Sequence, residues 1–253
     1  MVDHGRVSGV NEPAVDVDDV GPHEDEPHEN GINDRLNWLR AGVLGANDGI
    51  VSTAGIVLGV AGATTDRTAI LVAGIAGLVA GAMSMAAGEY VSVSTQRDSE
   101  KALLAKEREE LREDPEDELA ELAGLYVDKG LDHELALEVA RQLTEKDALA
   151  AHAEVELGID PDDLTSAWNA AFASMLSFTV GALLPLLTII LVTADLRVPV
   201  TVAAVVAALV VTGWLSAHFG YGSTSKAVAR NVLGGLLAMA VTHGIGQLVG
   251  TQV

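Results

Sequence analysis

The chain alternates long apolar stretches with strongly polar ones. A membrane-spanning helix needs about 20 predominantly apolar residues, because the hydrocarbon core of a bilayer is about 30 Å thick. Five windows meet this requirement, at about residues 41–62, 70–94, 167–192, 198–219 and 228–249. Short connections join the last three. The pattern predicts an all-α membrane protein with five transmembrane helices.

A polar segment, residues 96–166, separates the second span from the third and shows helical periodicity. Apolar residues in it recur at helical spacing, as at Leu119, Leu122 and Leu125, which places them on one face of a helix. Pro115 and Gly130 interrupt the pattern, and Gly158 ends it. The segment therefore predicts a module of three helices, the third over about residues 132–157.

No turn signal lies between Val93 and Glu100, so we expect the second span to continue into the first helix of this module. The chain then divides into four parts. They are an acidic tail at 1–34, transmembrane helices 1 and 2 at 35–95, the module at 96–166, and transmembrane helices 3 to 5 at 167–253. Because the tail combines low hydrophobicity with many acids and prolines, we expect it to be disordered.

Charge is concentrated in the aqueous parts and is strongly negative. The chain carries 36 acidic and 15 basic residues, which gives a formal net charge of −21. Such a chain repels nucleic acid phosphates and attracts cations, so nucleic acid is not an expected partner. The sequence contains no cysteine. Any metal would therefore be held by oxygen, imidazole or thioether groups.

Basic residues flank the spans unevenly, and the cytoplasmic ends of membrane helices carry the excess of Lys and Arg. One side of the predicted bundle has Arg35, Arg40, Arg97, Lys101, Lys226 and Arg230, whereas the other has Arg67 and Arg197. This bias predicts that the N-terminus and the module are cytoplasmic. The lack of cysteine and the Ala-, Gly- and Val-rich spans favour a prokaryotic plasma membrane.

Carboxylates occur inside two of the predicted spans. Asp48 lies in a polar cluster at residues 47–53, and no Lys or Arg lies deep in any span to pair with it. A charge within a membrane is costly, so such residues usually face a cavity and serve a function. Met85 and Glu89 are four residues apart and share a helix face. A thioether beside carboxylates suits a borderline transition metal better than Ca2+ or Mg2+.

The module contains potential metal ligands in pairs with helical spacing, so that the members of each pair share a face. The pairs are Glu107 and Glu110, Glu118 and Glu121, and His152 and Glu156. Three helices folded together could bring these groups to one cation, which would offset the repulsion between like charges. The alternative is a solvated acidic surface, because the module has further acids that cannot all be ligands.

Three segments resemble those of a known family. They are Asn-Asp-Gly-Ile-Val-Ser-Thr at 47–53, Ser-Met-Ala-Ala-Gly-Glu-Tyr-Val-Ser at 84–92 running into Gln-Arg-Asp at 96–98, and Glu-Leu-Gly at 156–158. Together they resemble the vacuolar iron transporter family, which is related to the yeast calcium-sensitivity cross-complementer proteins. The resemblance covers nearly all of residues 36–250, and only the acidic tail falls outside it.

This resemblance implies a five-span homodimer that exports ferrous iron, and in some members manganese, from the cytosol in exchange for protons. Its cytoplasmic module would gather the metal through glutamates. On matching positions, the implied pore residues are Asp48 and Met85, and the implied module ligands are Glu107, Glu110, Glu118, Glu121 and Glu156. The metal is then cargo, so we expect no permanently bound cofactor and no enzyme activity.

His152 departs from the family pattern, because plant members have a methionine four residues before the last glutamate. Imidazole is a good ligand for iron, manganese and zinc, so we include His152 among the expected ligands. Zn2+ and Co2+ are further candidates, beside Fe2+ and Mn2+, for binding in the module. Glu89 lies in a segment that matches the family, and we give it no firm role.

Two other classes of function fit parts of the sequence. A membrane-anchored ferritin-like iron oxidase or store would use carboxylates in a helical module, but the Glu-x-x-His pair of such sites is missing. A metal sensor would need the module but would not need a carboxylate inside a span. Transport accounts for both the module and Asp48.

Overall fold

The computed structural model describes the backbone of residues 31–161 and 164–251, and the side chains from residue 42 onward in these ranges. Every regular element in them is a helix. They are α1 (Gly31–Ala63), α2 (Arg67–Glu113), α3 (Pro115–Asp128), α4 (His133–His152) followed by a π-helical segment (Ala153–Leu157), α5 (Ala167–Leu191), α6 (Arg197–Phe219) and α7 (Thr224–Gly250). The predicted tail lies almost entirely outside the described residues, and residues 31–34 form the first turn of α1.

Five of these helices are long and apolar enough to cross a membrane, as the hydropathy pattern predicted. They are α1 from Gly42 onward, α2, α5, α6 and α7. Large apolar side chains cover their outward faces, and Val72, Leu191 and Leu248 are among the most exposed. An exposed apolar surface of this extent marks contact with a membrane or with another protein.

The core of the membrane part is built around α1, which contacts each of the other four spans. All five spans contribute buried side chains to it. They include Val57 and Leu58 of α1, Ile70 of α2, Leu186 of α5, Leu209 of α6 and Met239 of α7. The position of α1 therefore fixes the arrangement of the bundle.

Glycines allow α1 to approach two neighbours at backbone distance. A Cβ on Gly49 would overlap the carbonyl oxygen of Phe178 in α5, and a Cβ on Gly246 of α7 would overlap the carbonyl oxygen of Gly59. Association of helices in lipid depends on van der Waals packing, which small residues at the crossing improve. α1 is thus held closely on two sides.

α2 is a single helix of 47 residues. At a rise of 1.5 Å per residue it is about 70 Å long, more than twice the thickness of a bilayer core of about 30 Å. Asp66 caps its start by accepting the backbone N–H of Thr68 at 2.9 Å. The helix is unbroken between Val93 and Glu100, which confirms the predicted continuity. The second span and the first helix of the module are one rod.

α3 and α4 complete the module by packing against each other and against the end of α2. Pro115 occupies the first turn of α3, where a missing N–H costs no hydrogen bond. Gly130 and Gly158 adopt φ values of 106° and 64° at the ends of α3 and the π-helical segment. The small core between the helices consists of Leu122, Ala123, Ala140 and Ala151.

The third helix of the module is not the single straight helix that the sequence predicted. Asp147 has an extended backbone (φ −164°, ψ 98°) inside α4. Its Oδ1 accepts the backbone N–H of Ala150 at 3.0 Å, so it caps a new helical turn. Asp side chains compete for backbone N–H groups in this way and favour caps over helix interiors.

The two ends of the bundle are tied by contacts between helices. At the module end, the rings of Tyr90 in α2 and Trp168 in α5 lie 4.7 Å apart between centroids. At the opposite end, the buried guanidinium of Arg197 donates to the carbonyl oxygen of Thr65 at 2.9 Å. The second contact joins the α1–α2 connection to the start of α6.

The close crossing of α1 and α7 gives a testable prediction. We expect Gly246→Ala to lower the stability of the detergent-solubilised protein by about 1–3 kcal/mol, the usual cost of overpacking. The added methyl group would push against the backbone of Gly59, which cannot move aside as a side chain can. Thermal unfolding of the purified variants would measure the change.

Gly244→Ala is the matched control, because it lies in the same helix and a Cβ there has no neighbour within 4 Å among the described residues. We expect its stability to equal or slightly exceed that of wild type, since Ala favours the helix more than Gly does. Equal unfolding temperatures for the two variants would contradict the close crossing.

Candidate metal centre

Three ionisable side chains meet inside the module, one from each helix. Glu107 comes from the extension of α2, Glu118 from the first turn of α3, and His152 from the end of α4. One ligand atom of each lies within 4.8 Å of the other two. His152 Nδ1 is 2.9 Å from Oε1 of Glu107 and 3.7 Å from Oε2 of Glu118. The three helices thus converge on one point.

The cluster is almost completely buried. The exposed fractions are 4% for Glu107, 8% for Glu118 and 0% for His152. Among the described residues, neither ring nitrogen of His152 has a hydrogen-bond partner, and nor does Oε1 of Glu107, because the short contact between them lacks hydrogen-bond geometry. An unpaired buried polar group costs about 1–3 kcal/mol. A cation between these atoms would supply the missing partner.

Glu156 adds a fourth group on the more open side of the cluster. It lies in the π-helical segment, and its Oε2 is 3.7 Å from Nδ1 of His152. π-helical turns occur frequently at functional sites, where they re-aim side chains. The pair of His152 and Glu156 therefore shares one face, as the spacing of four residues predicted.

The second members of the two glutamate pairs lie at the edge of the cluster. Glu110 is partly exposed and receives two hydrogen bonds from Nζ of Lys106, at 2.7 and 2.6 Å. Glu121 is exposed. The spacing of four residues between Lys106 and Glu110 was visible in the sequence and could have indicated this ion pair. Only the first member of each pair reaches the buried point.

Burial raises the pKa of both Glu107 and Glu118 above the ordinary value for glutamate. Nearby carboxylates raise each pKa further, chiefly Glu156 for Glu107 and Glu121 for Glu118, and His152 opposes them in both cases. Ionising the cluster therefore costs free energy. A divalent cation would reverse this cost, because opposite charge favours the ionised carboxylates.

The donor set defines which ions the cluster suits. Two carboxylates and an imidazole, with a third carboxylate nearby, match the preferences of divalent first-row metals such as Fe2+, Mn2+ and Zn2+. Ca2+ and Mg2+ prefer oxygen ligands alone. The centre is thus chemically suited to borderline transition metals.

Asp48 lies in the half of α1 nearer the module. Its side chain is half-buried, and no Lys, Arg or His lies within ion-pair distance in the described part of the chain. Its backbone carbonyl accepts the hydroxyl of Ser52. Asp48 is therefore an ionisable group within a span that has no ion-pair partner among the described residues, and its ionised form would be costly in lipid.

The face of α1 that carries Asp48 is covered at one end only. With 3.6 residues per turn, Asp48, Gly55 and Gly59 fall on one stripe of the helix. Gly55 and Gly59 lie against Thr242 of α7. Leu44, one turn before Asp48, is 57% exposed. The stripe is therefore open around Asp48.

Met85 and Glu89 lie on α2, nearer the module. Met85 packs against the cluster of Ala82, Phe178 and Ala182. Gly49, the neighbour of Asp48, contacts the same Phe178. Glu89 is half-buried one turn farther along α2. Asp48 and Met85 thus belong to helices that meet at one turn of α5.

Five apolar spans, with a buried carboxylate–imidazole cluster on the extension of one of them, define the class of this protein: an all-helical membrane protein with a candidate metal centre. The chain belongs to the VIT family, whose model matches residues 39–247. It is 44% identical over 218 residues to a protein of Acanthamoeba castellanii named vacuolar iron transporter, covering 83% of this chain and 78% of that one.

Plant proteins show similar likeness. Vacuolar iron transporter homolog 1 of Arabidopsis thaliana is 38% identical over 219 residues, which cover 86% of each chain. VIT-like transporter 1b of Glycine max is 38% identical over 220 residues, covering 86% of this chain and 79% of that one. The region matched by the family model, residues 39–247, covers the first four spans, the module and most of the fifth span.

The raised pKa of Glu107 predicts how metal-free stability depends on pH. Its contribution is favourable below the unfolded pKa, about 4.3, and is lost as pH rises through the higher folded pKa. At neutral pH without metal, we expect Glu107→Gln to increase hydrogen-exchange protection of α3 and α4. We expect little difference from wild type near pH 4, where the wild-type carboxyl is protonated.

Glu109→Gln is the control, since Glu109 is exposed on the same helix and pairs with Arg112. We expect it to leave protection unchanged or slightly reduced at both pH values. If Glu107→Gln lowered protection at neutral pH in the presence of a chelator, the buried carboxylate would be stabilising rather than costly.

Proposed function

We propose that this protein transports divalent metal ions, chiefly Fe2+ and also Mn2+, out of the cytosol in exchange for protons. The observation that carries this proposal is the buried cluster of Glu107, Glu118 and His152 on a helix that continues as a span. The names of the relatives, which are vacuolar iron transporters and their homologues, support iron as the cargo.

The module would collect the ion at the cytoplasmic side. Its acidic surface raises the local concentration of cations. The ion would then bind between Glu107, Glu118 and His152, with Glu156 closing the open side and Glu110 and Glu121 at the edge. Zn2+ and Co2+ suit the same donors. The excess of Lys and Arg at the module end of the spans supports this orientation.

Asp48 and Met85 would form the passage through the membrane. They lie on α1 and α2, which meet at Phe178 of α5. A carboxylate and a thioether together suit a borderline metal. After the ion leaves, the Asp48 carboxylate would take up a proton, because a neutral group is tolerated in a low-dielectric passage. The exchange of metal for protons keeps Asp48 from remaining as an unpaired anion.

A second copy of the chain would cover the open stripe around Asp48. A carboxylate facing lipid is costly, so ionisable groups in spans face a bundle interior or a water-filled cavity. Leu44 is exposed and Asp48 is only half-buried by the described helices of one chain. A homodimer that pairs this face would place two copies of Asp48 beside a shared passage.

Transport by reconstituted protein tests the proposal. We expect Asp48→Asn to abolish uptake of Fe2+ into proteoliposomes and the accompanying proton movement reported by a pH-sensitive dye. The amide keeps the size of the side chain but can neither balance a cation nor take up a proton. Uptake by wild-type protein should increase when the vesicle interior is more acidic than the outside, because protons then leave as the metal enters.

Asp195→Asn serves as the control, because Asp195 is an exposed carboxylate in the short α5–α6 connection. We expect Asp195→Asn to take up Fe2+ at the wild-type rate. Full flux in Asp48→Asn would overturn the role of Asp48. Consumption of oxygen by the purified protein with Fe2+, without uptake, would indicate an iron oxidase instead.

Cysteine cross-linking tests the dimer, and the absence of native cysteine makes each introduced thiol unique. We expect Leu44→Cys to form a disulfide-linked dimer in membranes under mild oxidation, since Leu44 lies beside Asp48 on the open stripe. Val211→Cys on α6 is similarly exposed and should remain monomeric on a non-reducing gel. The opposite result would place the interface on another face.

A further inference from the structure

We propose that Asp147 is a positioning residue for the metal centre, because it breaks α4 so that His152 and Glu156 turn toward Glu107 and Glu118. This inference rests on the proposed metal-binding role of the module. Asp147 is exposed and does not touch the cluster. Asp147 would act indirectly, by setting the direction in which residues 148–157 continue.

The apolar stripe of α4 shows what an unbroken helix would do. Ala136, Ala140 and Leu143 contact or face α3, and the next place on this stripe is residue 147. Residues at this spacing share one face of a helix. A continuous helix would therefore direct the Asp147 carboxylate toward α3, and burying an unpaired carboxylate between the two helices is unfavourable.

An unbroken helix would also turn the ligands away. At 3.6 residues per turn, His152 would lie about 120° around the axis from Ala140, and Glu156 about 160° from it. Neither side chain would then face α3 from the stripe that holds Ala140. In the structure His152 is fully buried, and its Nδ1 lies 3.7 Å from Oε2 of Glu118 in α3. The change of direction at Asp147 accounts for this difference.

Two local features produce the new direction. The extended backbone at Asp147 interrupts the helix, and its Oδ1 caps the following turn through the N–H of Ala150 at 3.0 Å. The π-helical segment then begins directly after His152 and ends at Gly158, whose φ is 64°. The ten residues between Asp147 and Gly158 form a short arm that carries two of the four ligands.

The arm explains why an Asp occupies a place on an apolar stripe. A leucine at residue 147 would extend the stripe, bury more apolar surface and favour a continuous α4. Stability alone therefore favours leucine, whereas the metal centre requires the break. The two requirements predict opposite effects of one substitution, which a purely structural role for Asp147 would not.

Binding of Mn2+ to the full-length protein in detergent tests the inference, with free Mn2+ measured by EPR. We expect Asp147→Leu to weaken binding by about 10- to 100-fold, the usual effect of losing a group that orients a ligand. We also expect loss of the nitrogen modulation that a bound imidazole gives in pulsed EPR. Thermal stability without metal should be unchanged or higher. Asp147→Asn should retain both the Mn2+ affinity and the nitrogen modulation of wild type, because Asn caps helices as well as Asp does.

Asp132→Ala is the matched control, because Asp132 caps the start of the same helix through the N–H groups of Glu134 and Leu135. We expect it to lower stability and leave Mn2+ affinity and the nitrogen modulation close to those of wild type. Asp147→Ala removes the cap without adding apolar bulk. If Asp147→Leu fails to fold, as shown by a loss of helical circular dichroism, the Mn2+ affinity of Asp147→Ala tests the positioning role instead.

Glu107→Gln and His152→Ala separate the inference from the proposed function. If both bind Mn2+ weakly while Asp147→Leu and Asp147→Ala bind like wild type, the positioning role is wrong and the metal centre stands. If Glu107→Gln and His152→Ala also bind like wild type, the module is not a metal centre, and both proposals fail. Weak binding in all four variants, with rescue in Asp147→Asn, supports both.

Discussion

Repulsion between buried carboxylates is the interaction on which the module depends. Glu107 and Glu118 lie beside one imidazole in a site that almost excludes water, and burial raises the pKa of each. A protein core of this size, built on Leu122 and a few alanines, has little apolar surface with which to offset such a cost. The free energy of cation binding would then contribute directly to the stability of the folded module.

The same constraint acts on the membrane part through Asp48. No basic side chain among the described residues neutralises it, and the closely packed α1 is fixed between α5 and α7 by glycine contacts. α1 cannot easily rotate to hide the carboxylate, because a turn about its axis would drive side chains into two neighbouring backbones. Further cover for Asp48 would have to come from outside the single chain, or from the ion and the proton that we propose it exchanges.

Hydropathy predicted the five spans because length and apolar content alone decide whether a helix can cross a bilayer. Proline and glycine marked the ends of the module helices for equally local reasons. The spacing of Glu107 and Glu110 predicted that they share a helix face, but it could not predict which of the two points into the site. Glu110 instead binds Lys106 at the edge of the site. The break at Asp147 was also missed, although an acid on the stripe of Ala136, Ala140 and Leu143 was a visible signal. Which face turns inward is decided by packing between helices distant in sequence.

The unbroken course of α2 has a consequence for how this architecture can change in evolution. One inserted residue between Val93 and Leu104 would rotate everything beyond it by about 100° and carry Glu107 away from its partners, whereas seven residues, nearly two full turns, would restore the helical phase. The described part of the return path, residues 158–161 and 164–166, contains no such rod. Length variation is therefore tolerated on one side of the module and restricted to near-integral turns on the other.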